Sequence, residues 1–328
     1  MEAFFDHWRS ALGVRSTLAV VAFSLLATAC ATKEARLTDP PEVPGLPQRS
    51  THAEFVTPSG IRILALHTGW VGVRPTHREL RAPRFLAVPL IFAESSWADW
   101  MPIISYVVIH PEGTFLVDTG ASPDINDKSY FSCDEYNEVF YDNNLRFAVP
   151  NGDDLNARLT EVGIAPADIM AVVISHFHAD HIGEVALLPN ARFFTGAGNW
   201  PKHVGSFTCR LPSGFTPEFP EFSGGTFGGF RTSKPFTSDG KIKMIALPGH
   251  TPGHIGLMVS DADKTWLMVG DATFDADQTK RSAVTGVSQD FDDAIATQES
   301  LKNLLDSHVV ILLPSHDAAV LSLKTKSN

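Results

Sequence analysis

The feature that most constrains the fold of this chain is the heptapeptide S-H-F-H-A-D-H at residues 175–181. It directly follows the continuous apolar run 169–174, and a run of that length predicts a buried β-strand. Four side chains of the heptapeptide can bind metal: His176, His178, Asp180 and His181. Ligands at the end of a rigid strand can converge, but four so close in sequence are too many for one tetrahedral ion. Imidazole and carboxylate suit zinc and its borderline neighbours, so the motif predicts two adjacent metal ions.

Further polar residues follow predicted strands later in the chain. The predicted strands 114–117, 243–247, 265–269 and 309–313 are each followed within a few residues by a candidate group: Asp118, His250, Asp271 and His316. This recurrence suggests two half-sheets that deliver ligands to one edge. A His-rich tract that binds metal adventitiously is the alternative, and the recurrence disfavours it. Asp118 is expected to accept the second N–H of a metal-bound imidazole, although an Asp beside Gly often only caps a turn.

Composition limits the classes of function. With 328 residues, of which 44% are hydrophobic, the chain can bury a substantial core in one large domain or two small ones. Its formal net charge is −11, whereas a nucleic-acid partner would favour a basic surface. We therefore expect no nucleic-acid partner.

The N-terminus has the pattern of an export signal. Arg9 and Arg15 precede the apolar stretch 18–29, which is too short to span a membrane comfortably. The small residues 27–29 then precede Cys30, as in bacterial lipoproteins, where the cysteine becomes the lipidated first residue. The match to the lipoprotein pattern is imperfect, so ordinary cleavage of a signal peptide 1–29 remains open. Both alternatives predict an exported protein, either periplasmic or anchored to the membrane through Cys30.

The rest of the chain is expected to divide into a tether and one folded domain. Residues 31–58 are rich in Pro and lack periodicity, which predicts an extended tether, and the folded domain is expected over 60–328. Within that domain, residues 203–236 are rich in Phe and Gly, and either a buried core or an apolar lid over a pocket would account for them. Cys133 and Cys209 could form a bridge in an oxidising compartment or remain free thiols.

On the basis of these motifs, the chain resembles the metallo-β-lactamase superfamily from about residue 61 onwards. The resemblance implies a single α/β domain, a four-layer αβ/βα sandwich with the site at the strand ends. It implies one metal held by His176, His178 and His250, and a second held by Asp180, His181 and His316, with Asp271 bridging both. The cofactors implied are two divalent ions, with zinc favoured over iron, manganese or cobalt.

The resemblance also implies the chemistry. A hydroxide shared by two cations would hydrolyse the substrate, and Asp180 would carry the proton to the leaving group. His254 has no place in this ligand scheme and is expected to support the ligands or the structure. True β-lactamases are disfavoured, because they lack the second His of the motif and have Cys where Asp271 stands.

Within the superfamily, the P-G-H-T-P-G-H and S-H-D segments are most similar to those of the N-acyl homoserine lactonases. One departure concerns Phe274, where those lactonases usually carry a Tyr whose hydroxyl assists the lactone carbonyl. Loss of such a donor can cost a few kcal/mol of transition-state stabilisation. We therefore expect a hydrolase of a lactone or ester with an apolar portion, and we keep an exported phosphotriesterase of the parathion hydrolase type as the alternative. A non-catalytic metal-binding surface protein is the alternative from another class, whereas thioester hydrolysis and RNA processing are disfavoured. The sequence gives no indication of the oligomeric state.

Overall fold

A computed structural model describes residues 50–323, except 128, 151, 226–229, 231 and 308. The predicted signal peptide, Cys30 and residues 31–49 of the predicted tether lie outside the described residues. The strands are β1 (His52–Val56), β2 (Arg62–Val73), β3 (Met101–His110), β4 (Gly113–Val117), β5 (Leu145–Ala148), β6 (Ile169–Val173), β7 (Arg192–Phe194), β8 (Ser233–Pro235), β9 (Ile242–Ala246), β10 (Ile255–Asp261), β11 (Lys264–Gly270) and β12 (Val309–Pro314). The α-helices are α1 (Pro75–Arg78), α2 (Ala87–Ala93), α3 (Glu135–Asn144), α4 (Leu155–Glu161), α5 (Ala276–Arg281) and α6 (Phe291–Ser307). Short 3-10 helices occupy Arg84–Leu86, Pro123–Asn126, Pro166–Asp168, Val185–Leu187, Ala197–Asn199, Thr208–Arg210 and Ala318–Ser322.

The strands form two sheets. The first has seven strands in the order β1-β2-β3-β4-β6-β7, with β5 also paired to β2. The second has five, in the order β12-β11-β10-β9-β8. Strands β4, β6 and β7 run parallel to one another, as do β11 and β12, and the other pairs are antiparallel.

Alternation along the strands divides the apolar side chains between layers. In β3, Ile104 and Tyr106 contribute to the core between the sheets, while Ile103 and Val107 contribute to the core on the outer face. Successive side chains of a strand point to opposite faces, so a strand that is apolar throughout is covered on both sides.

Helices cover the outer face of each sheet. Leu155 and Leu159 of α4 belong to the core of the first sheet, and Leu301 and Leu304 of α6 belong to that of the second. The layers are therefore helix, sheet, sheet and helix, which confirms the predicted four-layer sandwich in one domain. Among the helices of the described residues, none has the length and apolarity that crossing a bilayer requires.

Two predictions about the N-terminal part need correction. Residues 52–56 were expected in the tether, but they form β1, which pairs with β2 through Phe55↔Ile63 and its neighbours. Ala53 and Phe55 are buried while His52 and Val56 are exposed, so the segment is a short amphipathic edge strand. The folded domain thus begins before residue 60. The sequence of the segment that contains Pro83, Pro89, Trp97 and Trp100 predicts a long loop, yet residues 87–93 form α2. Pro89 lies in the first turn of this helix, where its missing N–H breaks no helical hydrogen bond.

Candidate metal centre

The heptapeptide emerges where β4 and β6 end side by side. These strands are parallel with Val117 opposite Val173, so Asp118 and Ser175 leave the sheet at the same edge. Strands β11 and β12 end in the same way, with Gly270 paired to Pro314. Parallel alignment therefore delivers the residues after each strand to one place.

The first half of the centre holds three imidazoles and one oxygen of Asp271. His178 Nδ1 lies 2.8 Å from His176 Nε2 and 3.2 Å from His250 Nε2. Asp271 Oδ2 lies 3.8 Å from His176 Nε2 and 3.6 Å from His250 Nε2. Tetrahedral zinc with bonds of about 2.0–2.1 Å places its donors roughly 3.3 Å apart. These four atoms therefore have the spacing of a zinc ligand set.

The second half uses the other oxygen of the same carboxylate. Asp271 Oδ1 lies 3.3 Å from His181 Nε2 and 3.2 Å from His316 Nε2. Asp180 completes this group, with Oδ1 3.8 Å from His181 Nε2 and Oδ2 3.7 Å from His316 Nε2. The Asp271 carboxylate is thus divided between two clusters, which is the arrangement of a bridging ligand.

The polar atoms of the second half fit a cation. His181 Nε2 and Asp271 Oδ1 are fully buried and have no hydrogen-bond partner among the described residues. They lie 3.3 Å apart as an ion pair but without the geometry of a hydrogen bond, whereas buried polar atoms are normally paired in that way. A divalent ion between them would satisfy both, and the donor set suits zinc, iron, manganese or cobalt.

Asp118 holds the ligands in place from behind. Its Oδ1 accepts the Ser175 backbone N–H at 2.7 Å, and its Oδ2 accepts the Ser175 hydroxyl at 2.7 Å. Oδ2 also lies 2.8 Å from His181 Nδ1. This contact leaves Nε2 of His181 free to face the cluster, as predicted for a carboxylate that orients a metal-binding imidazole. Asp118 has a φ of 58°, a left-handed conformation that Asp adopts more readily than most residues.

Other supporting contacts come from distant parts of the chain. His316 Nδ1 donates to the Pro102 carbonyl at 2.8 Å, and His250 Nδ1 lies 3.4 Å from Thr285 Oγ1. His254 lies outside both clusters, and its Nε2 accepts the Asp271 backbone N–H at 3.2 Å. His254 therefore fixes the backbone of the shared carboxylate, in keeping with its predicted supporting role.

The two halves differ in charge. Burial lowers the pKa of His176 and His178 well below the ordinary value, and it lowers the pKa of His250 to about 3. Burial also opposes protonation of His181 and His316, but the facing carboxylates, Asp271 foremost, outweigh it and raise both pKa values. The first half therefore favours neutral imidazoles, whereas the carboxylates of the second half favour the protonated form of His181 and His316.

The two carboxylates of the centre shift in opposite directions. Burial would raise the pKa of Asp271, but the surrounding His316 and His181 hold it well below its usual range. Burial raises the pKa of Asp180, with Asp271 adding to the effect and His181 and His316 opposing it. Asp180 is thus the carboxylate at this site that takes up a proton more readily.

A series of rings leads from the surface to the centre. Phe92 is 39% exposed and packs edge-on against Phe140, with ring centroids 5.7 Å apart. Phe140 lies 5.9 Å from His77, and His77 lies 6.3 Å from Phe274. Phe274 is buried and contacts the ring of His316 at 5.2 Å. The side chains on this side of the centre are therefore aromatic, and Phe274, the ring next to His316, has no hydroxyl.

The Phe-rich segment 203–236 mostly supplies core instead of a lid. Phe207 is fully buried against Phe131 and Tyr141, and Phe230 is also buried. Phe215, Phe222 and Phe236 pack at the edges of the cores, and Phe219 is exposed. Phe227 lies outside the described residues.

Cys133 and Cys209 form a disulfide with their Cα atoms 6.1 Å apart. It links the segment that leads into α3 to the 3-10 helix Thr208–Arg210 at the start of the Phe-rich segment.

Comparison with known families agrees with this geometry. The sequence profile of the metallo-beta-lactamase superfamily matches residues 98–316, about two thirds of the chain, from just before β3 to the last candidate ligand, His316. The chain belongs to this superfamily. Its fold and its donor set make it a metal-dependent hydrolase.

Several individual proteins are similar to this member of the superfamily. The N-acyl homoserine lactonase AttM of Rhizobium radiobacter is 24% identical over 246 residues, which cover 68% of this chain and 85% of the relative. The probable metallo-hydrolase Rv2300c of Mycobacterium tuberculosis is 30% identical over 141 residues, covering 40% of this chain and 45% of the relative.

A solved structure shares the architecture at low identity. The Bacillus thuringiensis lactonase AiiA, in a mutant form with N-decanoyl-L-homoserine bound at its active site, superposes with a TM-score of 0.64 at 18% identity. The match covers 85% of this chain and 99% of AiiA. This likeness establishes the common fold.

Proposed function

We propose that this protein opens a lactone that carries an apolar chain, using two divalent metal ions held on either side of Asp271. The observation that carries the proposal is the division of the Asp271 carboxylate, with Oδ2 facing His176 and His250 and Oδ1 facing His181 and His316. The relatives named as lactonases add support, because their similarity to this chain extends over most of their length.

The ligand assignment follows from these distances. His176, His178 and His250 would hold one ion, and Asp180, His181 and His316 would hold the other. When bound, the two ions would supply a water of lowered pKa and would polarise the carbonyl of the substrate. Zinc is the ion we favour, on the strength of the donor set and of the similar lactonase AidC, which is described as dizinc.

The protein supplies the proton transfer and the shape of the site. Asp180 borders the second cluster, and its pKa is raised by burial, so its carboxylate can take up a proton and return it to the leaving alcohol. The fully buried second nitrogens of the ligands are held by Asp118 and the Pro102 carbonyl, which keeps the reacting faces pointed inward. Phe274 and the rings beyond it offer an apolar surface for the chain of the substrate.

Phosphotriester hydrolysis is the second candidate, and the nature of residue 274 favours it. Phe274 is buried beside the centre and offers no donor to a lactone carbonyl, whereas an aromatic wall suits an aryl phosphotriester. The same metals and Asp180 would serve this reaction, so only the substrates separate the two candidates.

A panel of substrates on zinc-loaded protein tests the proposal, with an acyl homoserine lactone, an aryl ester and an aryl phosphotriester compared by kcat/KM. We expect the lactone to be preferred and Asp271→Asn to lose at least about 100-fold in kcat/KM together with bound metal, because both clusters lose their shared anion. Asp277→Asn is the matched control, since it makes the same change at an exposed carboxylate that pairs with Lys280. Preference for the phosphotriester would favour the second candidate. Two bound metals without turnover of any substrate would indicate a non-catalytic metal-binding protein.

We also propose that the protein is exported, either as a soluble periplasmic protein or as a lipoprotein anchored through Cys30. The signal-like N-terminus and the Cys133–Cys209 disulfide support this, because structural disulfides persist in oxidising compartments. Fractionation of cells that express the full chain tests it, with Cys30→Ser as the variant. Loss of membrane association in Cys30→Ser would indicate lipidation, and recovery of the wild type from the cytoplasm would contradict export.

A further inference from the structure

His77 is a buried histidine beside the centre that belongs to neither cluster. It lies on α1, whose position is fixed from two sides. The carboxylate of Glu94 accepts the Thr76 backbone N–H at 3.0 Å and the Thr76 hydroxyl at 2.6 Å, and the His77 carbonyl accepts the Gly286 N–H at 3.0 Å. A side chain at residue 286 would collide with the Thr76 carbonyl, so α1 packs closely against this loop. The backbone that carries His77 is therefore well anchored.

The ring of His77 lies beside the metal centre, within the series of rings from Phe92 to Phe274. Its neighbours are the rings of Phe140 and Phe274, and it is close enough to Asp271 and His316 for both charges to act on it. Burial lowers the pKa of His77 to about 3, so the imidazole is neutral at physiological pH and carries one N–H and one lone pair.

A polar atom of this ring is left unpaired. His77 Nδ1 is fully buried and has no hydrogen-bond partner among the described residues. Such an atom destabilises the folded protein unless a partner arrives. His254 Nδ1 is unpaired in the same way, so it is the position of His77 among the rings beside the centre that points to a ligand. At a ligand site, an unpaired and rigidly held imidazole is suited to a polar group of the substrate.

We propose that His77 is a specificity-determining residue that hydrogen bonds the amide of an N-acyl lactone, at the point where the acyl chain turns from the metal centre towards Phe140 and Phe92. The inference rests on the proposed function and narrows its substrate class. An amide offers both a carbonyl acceptor and an N–H donor, so it can pair with a neutral imidazole in either tautomer. A simple alkyl lactone has no polar group beyond its ring and would leave His77 unpaired. The site would therefore distinguish the two by differential binding.

A pair of substrates tests this inference. The kcat/KM of zinc-loaded wild type, His77→Phe and His77→Asn is measured on N-decanoyl-L-homoserine lactone and on a γ-alkyl lactone of matched chain length. We expect His77→Phe to reduce kcat/KM for the amide substrate roughly 3- to 10-fold, mainly through KM, while the alkyl lactone changes less than about 2-fold. His77→Asn keeps a donor and an acceptor and should recover part of the loss. Equal losses on both substrates, or no loss on either, would overturn the proposal.

Thermal stability is a second measurement that separates the two roles of His77. A structural role predicts that His77→Phe lowers Tm, whereas the proposal predicts that it does not. His77→Phe removes an unpaired buried atom, so its Tm should equal or exceed that of the wild type.

His110→Phe is the matched control, because the ring of His110 is buried but both nitrogens are paired, with Asp239 Oδ2 at 3.1 Å and the Glu112 N–H at 3.1 Å. His110 lies at the far end of β3, roughly 27 Å from Pro102 by strand rise, so this control should lower Tm without changing substrate preference. If His77→Phe lowers Tm as His110→Phe does and lowers turnover of both lactones alike, His77 is structural and the proposal fails. Should His77→Phe not fold, His77→Leu replaces it with the same expectations.

A binding measurement separates failure of the inference from failure of the proposed function. Calorimetry on zinc-loaded protein compares N-decanoyl-L-homoserine, the ring-opened amide, with decanoate. Tighter binding of the amide that His77→Phe weakens roughly 3- to 10-fold would support the inference even if no lactone were hydrolysed. Lactone hydrolysis with an amide affinity that His77→Phe leaves unchanged would overturn the inference while the proposed function stands. Absence of both binding and hydrolysis would overturn both.

Discussion

At the scale of single residues, the centre depends on how each imidazole is oriented by the group behind it. Asp118 accepts from Ser175 and faces His181 Nδ1, so one carboxylate fixes both the start of the heptapeptide and the tautomer of a ligand. The ligand clusters would lose their alignment if this carboxylate could no longer accept three hydrogen bonds.

The variant Asp118→Asn tests this role. An amide can still accept from Ser175, but its NH2 group cannot accept the N–H of His181, so His181 is expected to present the wrong tautomer to the second cluster. We expect metal affinity to fall about 10- to 100-fold, as is usual for groups behind a metal ligand. Competition with a chromogenic chelator measures this loss. Wild-type affinity in Asp118→Asn would show that the ring of His181 is held by other contacts.

Phe274 is the residue at which the chain departs from the lactonase pattern, and Phe274→Tyr tests its effect. The ring is buried next to His316, so a hydroxyl would be placed near the centre. We expect kcat/KM for the lactone to rise about tenfold, while the free energy of unfolding falls by about 1 kcal/mol because the hydroxyl lacks a partner without substrate. Unchanged lactone turnover in parallel assays of both proteins would weaken the lactonase interpretation and favour the phosphotriester.

The sequence indicates candidate ligands where they are close together or follow a strand. The heptapeptide supplies four of them, and the structure brings these four together with His250, Asp271 and His316. His77 and Pro102 could not be found in this way, because their relation to the centre arises only when distant segments pack. The Pro102 carbonyl, for example, contacts a histidine 214 residues later.

At the scale of elements, the regular strands were predictable and the short or interrupted ones were not. Strands β3 and β4 are one example. The apolar sequences 103–109 and 114–117 predict two strands joined by a Gly-containing turn, and the structure has them at nearly the same residues. Strand β1 has only two buried residues, which is too weak a pattern to distinguish from a tether. Helix α2 contains a proline, and the sequence does not reveal that this proline lies in the first turn.

Helix α4 offers a test of electrostatics at this scale. Its first turn is capped by Asp154, whose side chain accepts the Ala157 N–H at 2.9 Å. A second carboxylate, Glu184, accepts the Asn156 N–H at 3.2 Å. Burial raises the pKa of Glu184 to about 7, and Asp154 adds to the shift. Glu184 is therefore protonated in the folded protein over a pH range where it would be ionised in the unfolded chain.

The sign of the pH effect follows from this shift. Between pH 4.5 and about 7 the folded state binds the extra proton, so the contribution of Glu184 to stability falls as pH rises through this window. Glu184→Gln should therefore stabilise the zinc-loaded protein at pH 8, on the order of 1–2 kcal/mol after allowance for solvent screening, and change little at pH 4.5. Denaturant unfolding of variant and wild type at both pH values measures the difference. An equal effect at both would show that Glu184 acts through packing.

At the scale of the whole molecule, the candidate ligands come from residues that follow strands of both sheets. The first sheet brings the heptapeptide and Asp118, and the second brings His250, Asp271 and His316. The sequence predicted these two contributions because each ends in a recognisable group. The way in which the two sheets pack together was not predictable from the sequence. It depends on contacts between distant residues, such as the hydrogen bond from the Ile255 N–H to the Ser175 carbonyl at 3.2 Å.

The central claim is that Asp271 joins two metal ions, and anomalous diffraction at the zinc edge from crystals of zinc-loaded protein tests it most directly. The account predicts two peaks on either side of the Asp271 carboxylate, one among His176, His178 and His250 and the other among Asp180, His181 and His316. A single peak, or two peaks away from these residues, would contradict it.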